Sequence, residues 1–428
     1  MSDAAAPARA RRRRQDLDWL RVIAILLLLF FHSAMPFVAE WGWHLKNAET
    51  SHLLLELNYF LSRWRMALLF LISGVGTAYA LGTRGAGQFL RERARRLLLP
   101  LAFGMLVVVP PQIYLERLAR GASFGSYLEF WPTVLELRFW PAGNLSWHHL
   151  WFVAYLAIYS LALLPLFLAL RGERRRRMVG RLTAVVRRAG LQAFALPLAL
   201  PLVLLLPRFP GPQNVVDDVA MLLYYLVFFL YGYLLADADA IWAEIERRRA
   251  TSLRWAVGCT LAVNVLRWNG VDPDPGYTAA WAAYGGLLAL GAWSSVVTIL
   301  GYARRHLTRG GPVLAYANEG IYPFYILHQT VIVTVAFYVI PLPEGPIAKF
   351  AFVSLVSFAL TTALYEVAVR PFDVARVLFG MTRRGNEQRG GDVHVLERPR
   401  GKLRQRVPRE GAFRPAHPLS GGDDMETG

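Results

Sequence analysis

An arginine and a histidine within the first long apolar segment are the residues best placed to carry out chemistry. Arg21 and His32 are eleven positions apart in a run otherwise made mostly of Leu, Ile, Val and Phe. At about 100° per residue, a helix places both on nearly the same face, with the imidazole roughly 16 Å further along the axis. The segment is long enough to span a bilayer, where ionisable groups are costly, so both side chains are expected to face an interior seam.

His32 is the sharpest candidate for acid–base catalysis. Its imidazole titrates near neutral pH and could take a proton from a hydroxyl group as a general base. The competing interpretation is a core histidine that is hydrogen-bonded across helices, but the cost of ionisable groups in a membrane favours the functional one. Arg21 has a similar alternative, because a snorkelling side chain would pair with Asp18 three residues earlier. The face that it shares with His32 favours function.

Two arginines mark the outer part of the second apolar segment. Arg63 and Arg65 are two positions apart and therefore point to nearly opposite faces of a helix. Arg63 aligns with Glu56 seven residues earlier and is expected to form an ion pair with it at the interface. Arg65 aligns with Asn58 and is the better candidate for an interior site.

Further candidates occur in later apolar segments. Tyr325 and His328 are three positions apart after Pro323, so they share a face on a kinked helix, where they either line a substrate path or tie helices together. His148 and His149 open the fourth apolar segment, where they are either site residues or interfacial residues that face lipid headgroups.

The composition is typical of a polytopic membrane protein. Of 428 residues, 55% are hydrophobic and only 18% are charged. The formal net charge is +17, but the 47 cations cluster in short loops between apolar runs, which reports membrane topology rather than nucleic-acid binding. The single cysteine, Cys259, excludes an intramolecular disulfide, and no spacing of His, Asp or Glu resembles a metal site. No bound cofactor is expected.

The apolar segments predict an all-α integral membrane protein, a bundle of about ten transmembrane helices. The predicted spans are 17–38, 58–81, 97–115, 148–170, 192–207, 219–236, 253–268, 278–301, 314–340 and 347–369. Segment 192–207 contains three prolines, so it either spans or is re-entrant. Arginines concentrate in alternate loops, which predicts that both termini are cytoplasmic.

Three regions follow from this pattern. Residues 1–15 are predicted to be a disordered basic tail on the cytoplasmic side, and residues 16–370 a polytopic transmembrane domain. Residues 371–428, which are rich in Gly, Pro and Arg, are predicted to be a disordered cytoplasmic tail.

Four motifs, in order along the chain, resemble those of acyltransferase family 3, a family of multi-spanning acyl carriers of bacterial envelopes. They are Arg21 with His32 after ten intervening residues, the Phe-x-x-Ser-Gly element at 70–74, the Arg-x-x-Arg-Leu element at 93–97, and Tyr322-Pro-Phe-Tyr-Ile-Leu-His-Gln329. The resemblance covers roughly residues 16–370, and the wording around the first helix is most similar to the branch of the family that takes part in glucan biosynthesis. The sequence Ala317-Asn-Glu-Gly320 departs from the commoner family wording, which leaves the role of Glu319 open.

The resemblance implies an acyltransferase that moves a succinyl or acetyl group from cytoplasmic acyl-CoA to a hydroxyl of an envelope or periplasmic glycan. His32 and Arg21 would be the catalytic pair. Arg93 and Arg96, one helical turn apart, would bind the phosphates of the donor, although ordinary positive-inside charge explains them equally well. The location would be the bacterial inner membrane.

The remaining candidates would bind the acceptor or the acyl group. They are Arg65, His149, Tyr325 and His328, of which His149 matches the His-Leu-Trp pattern of the family. A guanidinium at position 65 suits the free carboxylate of a succinyl group, whereas an acetyl group offers it nothing to bind. The rival interpretation is a polytopic glycan or small-molecule transporter or flippase, but the two halves show no repeat symmetry, a common transporter feature.

The topology gives a first prediction. In a chain whose Cys259 has been replaced, a cysteine introduced at position 175 should react only with reagents that reach the cytoplasm, because this position lies in the most basic loop. Cysteines introduced in 39–57 and 116–147 should react from the periplasmic side. Labelling of position 175 by an impermeant reagent added outside would contradict the topology.

Overall fold

The described residues fold as helices connected by loops. The computed structural model describes residues 14–211, 214–215 and 217–384, and these contain two isolated β-bridges but no strand. The all-α prediction is confirmed for this part of the chain. Most of the two predicted tails, 1–13 and 385–428, lies outside the described residues.

The N-terminal half contains nine α-helices and several short irregular turns. They are α1 (Gln15–Ala34), α2 (His52–Ser62), α3 (Arg65–Thr83), α4 (Ala86–Arg93), α5 (Leu99–Phe103), α6 (Pro110–Ala119), α7 (Tyr127–Phe130), α8 (Trp151–Ala162) and α9 (Leu164–Ala169). Two π-helical segments, Ala94–Leu98 and Gly104–Val108, join α4, α5 and α6 into one long helix. A 3-10 turn, His148–Leu150, precedes α8.

The C-terminal half contains the other described α-helices. They are α10 (Glu173–Ala189), α11 (Ala195–Leu204), α12 (Val219–Leu235), α13 (Asp239–Arg247), α14 (Arg249–Trp268), α15 (Ala279–His306), α16 (Pro312–Val339), α17 (Pro346–Leu364) and α18 (Asp373–Leu378). Residues 171–190 and 238–254, which the predicted spans leave as basic inner loops, thus contain α10, α13 and the start of α14.

Six helical segments of the described chain are long and apolar enough to cross a membrane. They are Gln15–Phe37, His52–Thr83, Ala86–Ala119, Ala279–His306, Pro312–Val339 and Pro346–Val369. Helices α12 and α13 are bent by 113° at the break between them, and they add a seventh span if the two are counted as one. The prediction of about ten spans is therefore not confirmed.

Short helices and breaks within helices explain why fewer than ten segments qualify as membrane spans. Each of the ten predicted segments contains a helix, but the helix is interrupted at Leu163, between α8 and α9, and Pro165 follows two residues later. Segment Leu191–Leu204 is only about 21 Å long, shorter than the roughly 30 Å of a hydrocarbon core. Helix α14 carries Arg254 and Arg267 among polar Thr and Asn residues.

Two predicted boundaries need correction. The second span, predicted at 58–81, begins already at His52 and is interrupted at Arg63 and Trp64, between α2 and α3. The tail predicted from residue 371 begins later, because α18 is folded and its Arg376, which is 1% exposed, donates to Glu319 of α16 at 2.9 Å. Glu319 therefore has a structural role in joining these helices.

Helix α1 lies at the centre of the packing, against α2, α3, α15, α16 and α17. The loop after it is fixed by Lys46, whose ammonium donates to the carbonyls of Met35, Val38 and Trp41 at the end of the first span. Burial lowers the pKa of Lys46. The first span and the loop that follows it thus form one rigid unit.

Two glycines allow α3 and α12 to pack backbone to backbone. A β-carbon on Gly74 would lie 2.0 Å from the carbonyl oxygen of Phe229, and one on Gly232 would lie 1.9 Å from that of Leu71. Small residues at such crossings let helices approach closely when lipid supplies no hydrophobic driving force. Gly74, the glycine of the Phe-x-x-Ser-Gly element, thus packs at this crossing.

This crossing generates a second prediction. Gly74→Ala and Gly232→Ala should each destabilise the protein by about 1–3 kcal/mol, because the helices must separate to admit the methyl group. Gly76→Ala is the matched control on the same helix, since nothing lies within 4 Å of its added carbon. Thermal stability in detergent, followed by size-exclusion chromatography, measures the difference. Equal effects of Gly74→Ala and Gly76→Ala would contradict the close crossing.

Candidate functional site

A cavity of about 1000 Å³ is lined by four of the site residues predicted from the sequence. Its wall includes His32 of α1, Arg65 of α3, His149 of the 3-10 turn and Tyr325 of α16. Aromatic side chains complete much of the lining, namely Trp43, Trp140, Trp147, Trp151 and Tyr225. The predicted candidates from distant segments therefore share one site.

His32 and His328 form the contact between α1 and α16 at this cavity. His32 Nδ1 lies 2.9 Å from His328 Nε2, and the two rings are stacked with their centroids 5.1 Å apart. His328 is completely buried, whereas His32 is partly accessible from the cavity. Two imidazoles at this distance share one proton between their facing nitrogens.

The partners of these rings determine which nitrogens carry protons. His328 Nδ1 lies 2.6 Å from the backbone oxygen of Tyr325, and because a carbonyl can only accept, this nitrogen donates. In the neutral ring, His328 Nε2 must then accept the proton of His32 Nδ1. His32 Nε2 is left with a free lone pair, which is the form that a general base requires.

His149 and Tyr325 hold α16 against the turn before α8. His149 Nε2 lies 3.0 Å from the carbonyl oxygen of Ile326, so it donates, and Nδ1 accepts from Gln112 at 3.5 Å. The hydroxyl of Tyr325 donates to the backbone oxygen of His149. Both nitrogens of His149 are therefore engaged, and its ring packs edge-on against His328 with centroids 5.3 Å apart. Tyr325 therefore ties α16 to the turn before α8, and it also lines the cavity.

Arg65 is a buried cation at the start of α3. Its side chain is 2% exposed, and its Nε and Nη1 have no hydrogen-bond partner among the described residues. The guanidinium lies 4.2 Å from the centroid of the Phe31 ring, next to His32 in sequence. Burying an unpaired guanidinium costs several kcal/mol, so this part of the cavity favours a bound anion.

Arg63 lies on another side of the bundle, as the two-residue spacing predicts. It lines a small pocket with Cys259, apart from the large cavity. The predicted ion pair with Glu56 is wrong, because Glu56 accepts from Arg267 and Trp268 of α14. Helix α2 ends at Ser62, so the seven-residue alignment does not continue to position 63.

The other predicted basic residues do not line the cavity. Arg21 donates to Asp18 at 2.9 Å and to Asn318 of α16 at 2.7 Å, and its side chain is 41% exposed. Arg93 donates to Thr77 at 2.9 Å. The assignment of Arg21 to catalysis and of Arg93 to donor binding remains a prediction.

Arg96 completes this set of basic residues. It lies 3.2 Å from Glu92, an acid that Arg84 also contacts, and it is exposed. A phosphate that approached Arg96 would therefore compete with an ion pair of the protein.

Sequence reasoning did not single out four polar residues that extend the site, namely His44, Gln112, Glu116 and Gln329. His148 was named together with His149. Gln329 had a signal, because it belongs to the motif that contains His328. His44 and Glu116 had none, because a loop and the end of a long helix meet only in the folded chain.

Comparison with known proteins identifies the family. Residues 14–366 match the family model Acyl_transf_3, described as an acyltransferase domain. Relatives named glucans biosynthesis protein C, from Salmonella paratyphi A (strain ATCC 9150 / SARB42), Salmonella agona (strain SL483) and Salmonella enteritidis PT4 (strain P125109), are each 24% identical over 388 residues. The alignments cover 86% of this chain and 94% of each relative. No solved structure matches the chain.

Proposed function

The chain belongs to acyltransferase family 3 and is a multi-pass membrane acyltransferase for groups other than amino-acyl groups, and we propose that it transfers a succinyl group from acyl-CoA to a hydroxyl of an envelope glycan. The observation that carries this proposal is the free lone pair of His32 Nε2, next to a buried cation, in a cavity wide enough for a sugar.

The hydrogen-bond directions support a general-base mechanism. His32 Nε2 takes the proton of the acceptor hydroxyl while the hydroxyl oxygen attacks the thioester carbonyl. The tetrahedral intermediate then collapses, the carbon–sulfur bond breaks, and the imidazolium returns its proton to the leaving thiolate. Throughout, His32 Nδ1 keeps its proton and donates it to His328 Nε2, and this hydrogen bond keeps the base in one orientation.

A donor that enters from the cytoplasmic side fits the placement of the basic residues. Arg21 is on the same helix as His32, about 16 Å away along the axis, a span that the pantetheine arm of coenzyme A can bridge. Arg93 and Arg96 lie on the helix that follows α3 and would meet the phosphates of the same donor. We therefore propose that both termini lie in the cytoplasm and that the protein lies in the bacterial inner membrane.

The cavity supports a glycan acceptor. Indole and phenol rings present apolar faces and polar edges, which suit the alternating apolar faces and hydroxyl groups of sugar rings. The relatives that match over most of the chain are named for glucan biosynthesis, so a periplasmic glucan is the acceptor that we propose. The lining tryptophans, Trp43, Trp140 and Trp147, would hold its sugar units.

The charge of Arg65 selects the acyl group. A succinyl group carries a carboxylate beyond its thioester carbonyl, and a guanidinium binds a carboxylate bidentately. Two of its nitrogens lack a protein partner among the described residues, so such a ligand would find free donors without breaking an ion pair. An acetyl group would leave this charge uncompensated.

We expect His32→Ala to lower the rate of acyl transfer by about 10²–10⁴-fold, because the general base is removed with little loss of packing volume. The measurement is release of coenzyme A from succinyl-CoA by purified protein with a glucan acceptor. His52→Ala, at an exposed position at the start of α2, is the control. A His32→Ala protein of native stability with full activity would overturn the proposed mechanism.

Arg65→Gln should reduce succinyl transfer far more than acetyl transfer, because only the succinyl group has a carboxylate to lose its partner. Arg63→Gln is the matched control, since it removes a neighbouring arginine that lies outside the cavity. Initial rates with succinyl-CoA and acetyl-CoA at several concentrations decide the comparison. Equal losses with both donors, or a preference of the unaltered protein for acetyl-CoA, would show that Arg65 does not bind the acyl carboxylate.

A further inference from the structure

Three side chains that the acyl-transfer mechanism does not use meet at one edge of the cavity. His44 comes from the loop after the first span, Glu116 from α6 and His148 from the turn before α8. One potential ligand atom of each lies within 4.8 Å of the others. All three line the large cavity, so an ion could reach them from it.

The two carboxylate oxygens of Glu116 have different partners. Arg120 and Trp140 both contact its Oε1, at 2.9 Å and 3.2 Å, so Oε2 is the oxygen that faces His44. The carboxylate is completely buried, and His44 Nδ1 lies 2.5 Å from Oε2. A proton now bridges these two atoms, and a cation that bound both would replace it.

His148 offers a nitrogen that the protein leaves unused. Its Nε2 is buried and has no hydrogen-bond partner among the described residues, whereas its Nδ1 lies 2.7 Å from the hydroxyl of Ser146. When Nδ1 donates to this hydroxyl, the lone pair of Nε2 is free, the arrangement found behind most histidine ligands of metals.

The backbone at His148 supports the same interpretation. Its φ is 38°, in the left-handed region that residues other than glycine rarely adopt. Such a conformation costs about 1–3 kcal/mol and is found mainly where it orients a side chain in a functional site.

From this geometry we propose that His44, Glu116 and His148 bind a divalent transition-metal ion of the zinc type. Two imidazoles and one carboxylate form a ligand set that suits zinc and leaves a fourth position for water or substrate. Tetrahedral ligation at about 2.1 Å separates ligand atoms by about 3.4 Å. In a metal complex, the distance between His44 Nδ1 and Glu116 Oε2 would therefore increase. The most widely separated pair of ligand atoms would move closer together by at most about 1.4 Å. Side-chain rotations achieve both changes.

The sequence predicts no metal site because the three residues are distant along the chain. His44 and Glu116 are 72 positions apart, and His148 follows 32 positions later, so no local spacing reveals them. The proposal concerns binding alone and does not depend on the identity of the acyl group or the acceptor.

A cobalt titration of the full chain, purified in detergent with an affinity tag that lacks histidines, tests the site. We expect one Co²⁺ per chain to bind with the visible absorption of a four-coordinate ion, and one equivalent of Zn²⁺ to remove this absorption. Elemental analysis after desalting should then find one zinc per chain. Absence of saturable binding in the unaltered protein would overturn the proposal, whatever its acyltransferase activity.

Variants assign the ligands. His44→Ala, His148→Ala and Glu116→Gln should each weaken metal binding by at least about 100-fold, since loss of even an outer partner costs a metal site 10–100-fold. His52→Ala and His306→Ala, both at exposed positions, should leave it unchanged. Equal weakening by the exposed variants, or unchanged binding in His148→Ala, would assign the ion to adventitious surface binding and reject this site.

Discussion

The hydrogen bond between His32 and His328 is the constraint on which the site depends. It joins α1 to α16 inside the bundle, where an unpaired polar group would be costly and few alternative partners exist. Because His328 also donates to the backbone of its own helix, the pair has one low-energy orientation. The lone pair of His32 that faces the cavity is therefore a consequence of how the two helices pack.

The arginines of the bundle differ in the hydrogen-bond partners that the protein supplies. Arg21, Arg93 and Arg376 each donate to a side chain of the protein. Arg65 is buried more deeply than Arg21 or Arg93, yet two of its nitrogens lack a partner among the described residues. A bound anion would supply the missing hydrogen bonds.

Sequence periodicity predicts which residues share a face of one helix, but it does not predict where separate helices meet. The spacing of Arg21 and His32 and the shared face of Tyr325 and His328 follow from helix geometry. Arg63 and Arg65 instead lie on either side of the break between α2 and α3. The convergence of α1, α3, α16 and the turn before α8 does not follow from helix geometry, because it depends on tertiary packing. The span count failed for a related reason, since apolarity predicts helices but not their breaks and bends.

Backbone contact between α3 and α12 links the fold to the selectivity of the site. Gly74 and Gly232 permit a crossing so close that neither helix can rotate about its axis without a clash with the other's carbonyl groups. Arg65 begins α3 nine residues before Gly74, and Tyr225, which lines the same cavity, precedes Gly232 by seven on α12. The register fixed at the crossing is thus transmitted along two rigid helices to the cavity wall. A small-residue contact with no chemistry of its own thereby determines where the uncompensated guanidinium stands.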